Sequence, residues 1–171
     1  MANDLWRTPK EVIQFVERKF GMSISMDFCS TDENKVCEFN LTQDHNFLND
    51  QWLGEFVIDE NKLCWCNPPY SNPLPFAEQC AKWAEQCGVH VVMLLNLDTS
   101  TRWFELIWNR AHTIMPIIGG RISFINEHGE AVRGNSKPQM LCYFAPYQLP
   151  SVRAAWEPVH INDIYLSTNN N

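Results

Sequence analysis

What the 171-residue chain lacks narrows its class first. No apolar stretch approaches the roughly 18 residues needed to cross a bilayer, because the longest, Val89 to Leu95, ends after seven residues and has His90 inside it. No charged-then-apolar leader opens the chain, so neither membrane insertion nor secretion is expected, and the expected location is the cytoplasm. Glycine and proline are scarce, seven and ten, well under the roughly one quarter of residues that marks low-complexity chains. There is no overall basic field either. Lys and Arg number 13 against 20 Asp and Glu, a net charge of −7, so counterion release alone cannot hold nucleic acid.

Several catalytic signatures are also missing. The sequence has no Walker loop, no Gly-x-Gly-x-x-Gly and no serine nucleophile elbow, which removes the usual signals of phosphoryl transfer and α/β-hydrolase chemistry. Cys64 and Cys66 are two apart rather than three and no His or Cys pair at zinc spacing accompanies them, so no metal site is expected. The seven cysteines cannot all pair, and without a secretory signal they read as reduced, buried thiols.

What is present reads as a folding chain of about one domain: 45% of the residues are hydrophobic, and the length suffices to bury a core. Thr8, Pro9 and Glu11 predict a capped first helix, with Val12, Ile13, Val16 and Phe20 as its apolar stripe and Gly21 as its end. Strands are expected at Ile24 to Cys29, Val36 to Leu41, Phe56 to Ile58 and Leu63 to Cys66, with Asp59-Glu60-Asn61 as a turn. Phe76, Cys80, Trp83 and Cys87 fall at helical spacing before Gly88, and Val89 to Leu97 reads as a strand covered on both faces. A third helix is expected around Phe104 to Ala111, then strands at Thr113 to Ile118 and Met140 to Phe144 flanking a Glu127-His128-Gly129-Glu130 turn. This alternation argues for an α/β fold, a mostly parallel sheet flanked by helices with an antiparallel C-terminal strand. Residues 1–150 are expected to form the domain. Residues 151–171 are weakly patterned and read as a tail, disordered from Ser167.

Asn67-Pro68-Pro69-Tyr70 follows the predicted strand Leu63 to Cys66, at the carboxyl end where open parallel sheets bind ligands. Two prolines fix two φ angles and remove two N–H donors, so the Asn67 side-chain oxygen and the Pro68 carbonyl can converge on one acceptor-rich point. Such a point suits an aromatic amino group, and Tyr70 can stack on its ring. The plainer alternative is a stiff strand-to-helix loop in which Asn67 makes a local turn bond. Charge is segregated as well: Asp27 to Glu60 holds nine acids and only Lys35, whereas Asp98 to Lys137 has five bases and four acids. Gly119-Gly120 lets a backbone approach a ligand closely, with Arg121 projecting near it and Arg133 and Lys137 reaching phosphates. The alternative for Arg121 is an ion pair with Glu127.

The chain resembles the phage-type DNA adenine-N6 methyltransferases over about Trp6 to Phe144. The likeness rests on Trp6-x-Thr8-Pro9, Asp27-x-Cys29 with Asn34 and Cys37, and Thr42 and Asp44 ahead of Trp52. It continues in Asn67-Pro68-Pro69-Tyr70-Ser71, Asn96-Leu97, Thr99-x-Thr101-x-Trp103-Phe104 and Gly120-Arg121-Ile122-x-Phe124. It implies a class I methyltransferase (Rossmann-like) fold, S-adenosylmethionine as methyl donor and adenine of double-stranded DNA as acceptor. The implied donor site is Trp6, Thr8, Pro9, Asp27, Cys29 and Asp44. Asn67, Pro68, Pro69 and Tyr70 would hold the flipped base, and Ser71 joins Arg121, Arg133 and Lys137 toward DNA. The chain departs from most enzymes of that fold in having no glycine between Gly21 and Gly54, where a glycine-rich loop usually follows the first strand. Asn96 and Leu97 replace the Pro-Ala pair typical of the family. Two rivals share the Asn67 to Tyr70 pattern: an N-methyltransferase acting on RNA or on protein glutamine, and a phage binding or inhibitory module that keeps the fold without catalysis. Neither the recognition sequence nor the oligomeric state is legible.

Overall fold

The five central residues of β4 (His90–Asn96) are all buried, and their alternation divides the packing into two layers. Val91, Met93 and Leu95 face a core shared with α3 (Leu74–Cys87) and α4 (Arg102–Arg110). Val92 and Leu94 face the opposite core, filled by Val12, Ile13 and Val16 of α1 (Lys10–Phe20). A continuous apolar run is what a strand covered on both sides requires. These are features of a computed structural model that describes residues 6–55, 62–132, 135–147 and 153–166.

The sheet also contains β1 (Ile24–Asp27), β2 (Phe39–Asn40), β3 (Leu63–Cys66), β5 (Thr113–Ile118), β6 (Gln139–Phe144) and β7 (Ala155–Trp156). The strand order is β2-β1-β3-β4-β6-β5-β7, and β8 (Val159–His160) pairs with β5. All pairings are parallel except those of β6, which runs antiparallel between β4 and β5 with Met93 opposite Cys142 and Ile114 opposite Cys142 on its other side. The mostly parallel sheet flanked by helices, closed by one antiparallel strand near the C-terminus, is the architecture expected from the alternation of elements.

Three local readings change. Thr8 does not cap the first helix: Pro9 occupies the cap position without a side-chain bond, and the helix starts at Lys10. The strand expected over Val36 to Leu41 shrinks to Phe39–Asn40, and a short helix, α2 (Trp52–Glu55), forms where no element was expected. The expected strand at Phe56 to Ile58, its turn and the end of the tail from Ser167 lie outside the described residues.

The weakly patterned stretch after Pro150 supplies β7, β8 and α5 (Ile161–Tyr165). Its anchors are Val159 and Ile164, buried in the same core as Met115, Ile117 and α1. Gly119 makes this docking possible: at φ +77, a Cβ there would stand 2.3 Å from His160 Nε2, and one on Gly120 would stand 2.9 Å from Ile161 Cγ2. The glycine pair therefore admits two side chains of the chain itself rather than a ligand.

Candidate active site

β1, β3, β4 and β5 run in one direction, so their carboxyl ends lie on one side of the sheet. A cleft opens beyond the ends of β1 and β3. It brings together seven residues singled out from the sequence, Trp6, Thr8, Asp27, Cys29, Asn67, Pro68 and Tyr70, which span 65 positions of chain.

The cleft is assembled by the segment preceding α1. Arg7 forms an antiparallel bridge with Ile125, its N–H donating to the Ile125 carbonyl at 2.8 Å and its carbonyl accepting from Ile125 N at 3.0 Å. That bridge places Trp6 against Phe124, with ring centroids 6.0 Å apart and planes 30° from parallel. It also sets Thr8 beside the Asn67 turn. Asn67 Nδ2 donates to Thr8 Oγ1 at 3.2 Å, which fixes the orientation of the carboxamide. Asn67 Oδ1 is then buried with no hydrogen-bond partner among the described residues. A buried acceptor left open costs on the order of 1–3 kcal/mol, so this atom stands to gain from any donor brought to it.

Aromatic rings line the same cleft as Asn67. Tyr70 meets Phe124 edge to face, with centroids 6.2 Å apart and planes at 77°, and Trp65 forms part of the cleft lining. Burial raises the Tyr70 phenol far above its ordinary range, so it remains protonated and can act only as a ring and a neutral hydroxyl. The combination of a fixed acceptor and ring faces can hold a planar ligand that carries an amino group.

Asp27 ends β1 and is almost wholly buried. Its carboxylate accepts from Cys29 N and Val36 N, each at 3.2 Å, and so ties down the loop that follows β1. Burial raises its pKa, partly offset by these backbone bonds. A carboxylate held in that state gains most from a cation placed beside it. Cys29 Sγ lies 3.6 Å from Cys66 Sγ, and burial raises both thiols well above the ordinary cysteine value. They are packed, protonated groups rather than nucleophiles.

Other residues singled out from the sequence stand apart. Pro9 and Pro69 do not line the cleft: Pro9 caps α1, and Pro69 stiffens the turn behind it. Asp44 is exposed on a turn, and Ser71, Arg121 and Lys137 are exposed outside the lining. Arg133 lies outside the described residues. Conversely, the sequence reading assigned no role to Arg7, Ser30, Asn34, Val36, Trp65 or Phe124, all of which line the cleft. Asn34 and Phe124 belong to the stretches that resemble the family, and Arg7 is the variable position between Trp6 and Thr8. Trp65 carried no signal beyond its strand.

A mostly parallel α/β sheet with a cleft beyond its strand ends, a buried acceptor without a partner among the described residues and stacked rings is an arrangement that can hold a flat, amino-bearing ligand. The chain belongs to the DNA N-6-adenine-methyltransferase (Dam) family, whose model matches residues 1–162. It is 40% identical over 144 residues to the DNA N-6-adenine-methyltransferase of Haemophilus phage HP1 (strain HP1c1), covering 84% of this chain and 79% of that protein. It is 37% identical over 155 residues to the protein of the same name from Escherichia phage T1, covering 82% of this chain and 62% of that protein.

Proposed function

We propose that the protein transfers the methyl group of S-adenosylmethionine to the N6 amino group of adenine in double-stranded DNA, with the target base turned out of the duplex into the Asn67 to Tyr70 turn. The observation that carries this reading is the buried Asn67 Oδ1, held through Thr8 on a residue that lines the cleft and left without a hydrogen-bond partner among the described residues. Family membership and two phage relatives named for the same reaction support it. The strand order, with antiparallel β6 between β4 and β5, is compatible with a class I methyltransferase fold.

The cleft residues fit the donor chemically. Asp27 offers a carboxylate to a cationic or hydroxyl-bearing group, and Trp6 and Phe124 offer ring faces to a purine or a sulfonium. When bound, S-adenosylmethionine supplies an electrophilic methyl group. Pro9 and Asp44 fall outside the proposed donor site, one as a helix cap and the other on an exposed turn.

The chain's own groups then have a limited task. An aromatic amine has a poor lone pair because it is delocalised into the ring. Asn67 Oδ1 and the Pro68 carbonyl accept its two hydrogens, which favours a pyramidal nitrogen with its lone pair turned toward the electrophile. Tyr70 stacks on the base and holds its plane. Once N6 carries the methyl group it is positively charged and strongly acidic, and its proton leaves through the Asn67 or Pro68 oxygen to water. A strong base is unnecessary, because the methylated nitrogen is itself strongly acidic.

The test is methyl transfer to unmodified duplex DNA, measured beside single-stranded RNA and a glutamine-containing peptide. Label in N6-methyladenine of the duplex is expected. Transfer to the RNA or the peptide instead would replace this reading with the corresponding N-methyltransferase, and no transfer to any of the three would leave a binding module. Mapping the modified adenines in DNA from cells making the protein then reads its sequence preference.

A further inference from the structure

Among the described residues the charged groups lining the cleft are two, Asp27 and Arg7, and they have opposite sign. Arg7 has no role in the reading above. Its backbone is fixed by two hydrogen bonds to Ile125, so its side chain starts from a rigid base. Its guanidinium forms neither a hydrogen bond nor an ion pair with any described residue, although the residue is half-buried. The acid that senses it is Glu33, exposed on the loop after β1, whose carboxyl is lowered first by the Thr31 hydroxyl and only weakly by the Arg7 charge. A half-buried Arg with a pinned backbone and no bound acid is placed to receive an anion.

We propose that Arg7 binds the carboxylate at the amino-acid end of the methyl donor while Asp27 faces its ammonium group, so that the two cleft charges match a zwitterion. This rests on the donor assignment made above. A zwitterion needs one charge of each sign at short separation, and the cleft lining supplies one of each. Arg7 shares the cleft with Ser30 and Asn34, which belong to the loop that Asp27 ties down, and its charge reaches Glu33 of the same loop. The Asn34 oxygen already accepts from Thr31 N at 2.7 Å, which leaves its NH2 as a second donor for the same anion. A guanidinium holds a carboxylate through two parallel bonds, a geometry that a single lysine would not reproduce. A DNA phosphate is the competing anion, and the experiment separates the two.

Calorimetric titration compares S-adenosylhomocysteine with its decarboxylated analogue, which keeps the amine, on the wild type and on Arg7→Met and Arg7→Lys. The wild type is expected to prefer the carboxylate-bearing ligand by about 10- to 100-fold, the range of a charge-assisted hydrogen-bonded pair. Arg7→Met should lower affinity for that ligand to the level of the analogue while leaving the analogue's own affinity unchanged, and Arg7→Lys should restore only part of the preference. Equal affinity of the wild type for both ligands would overturn the proposal. So would an Arg7→Met protein with unchanged ligand preference but weaker duplex binding and a shallower salt dependence, which would make Arg7 a phosphate contact. If the wild type binds neither ligand, the donor assignment itself fails, and this inference with it.

Discussion

At the scale of single residues, the site depends on one amide being held in one orientation. Asn67→Ala should abolish methyl transfer while leaving S-adenosylhomocysteine affinity within a few-fold, because the acceptor is lost and the turn keeps both prolines. Asn67→Asp should retain activity, since a carboxylate also accepts from NH2. Thr8 is a positioning residue: Thr8→Val removes the partner of Asn67 Nδ2 and should lower kcat about tenfold, a loss of the order of one hydrogen bond. Thr8→Ser should restore it, and neither variant should shift the DNA dissociation constant. Tyr70→Ala should weaken capture of the flipped base by about 1–3 kcal/mol, measured as DNA affinity with a mismatch opposite the target adenine, whereas Tyr70→Phe keeps the ring and its effect. Asp27 carries a pH prediction. Burial raises its pKa above the usual carboxylate range, so the protonated form is favoured in the fold and its contribution to stability is lost as pH rises through that raised value. A bound ammonium group needs the ionised form. Product affinity should therefore fall as pH drops through the same window, and Asp27→Asn should be weaker at neutral pH and flat across it, both read by calorimetry.

At the scale of elements, the C-terminal stretch closes the sheet on the side of α1. Val159 and Ile164 are buried against Ile117, Met115 and the α1 stripe, and β7 and β8 both pair with β5. Truncation after Pro150 should lower stability on the order of 3–6 kcal/mol, at roughly 1.5–3 for each of these two aliphatic side chains, and thermal unfolding measures it. A boundary at 150, with an independent domain before it, requires the truncated chain to unfold as cooperatively as the full one. Gly119→Ala tests the same docking from the other side. A Cβ at φ +77 is strained and meets His160, so a loss of about 1–2 kcal/mol is expected, and Gly119→Ala combined with His160→Ala should recover the steric part only.

At the scale of the whole molecule, charge is distributed along the sheet. Seven acids from Asp27 to Glu55 accompany β1, β2 and α2, while among the described residues the bases Arg102, Arg110, Arg121 and Lys137 follow β4 in the chain. A duplex is expected to approach on the side of the bases rather than on that of the acids. Arg110 is already committed to Glu85, at 2.6 Å, whereas Arg121 forms no ion pair among the described residues. Arg121→Ala should weaken DNA binding across sequences and flatten the slope of log affinity against log salt by about one unit, the signature of one lost phosphate contact.

The sequence by itself determined whatever depends on neighbours in the chain. The continuous burial of β4, the stripe of α1, the end of α1 at Gly21 and the stiff Asn67 to Tyr70 turn after β3 follow from local apolar patterning and from the fixed φ of proline. Asp27 and Asn67 could be placed at strand ends for the same reason. Only the tertiary structure decided which side chains meet. Thr8 has the composition of a helix cap, and it serves Asn67 instead, 59 residues away, because the Arg7 to Ile125 bridge carries it there. Gly119 and Gly120 read equally well as a ligand approach, and they admit His160 and Ile161 from a stretch with no clear pattern of its own. Two residues of strand and a five-residue helix have too little periodicity to announce themselves, and their stability comes from the surface they cover. Hydrogen-bond partners and close packing are set by which backbones approach across the fold, and that information is not local to any window of the chain.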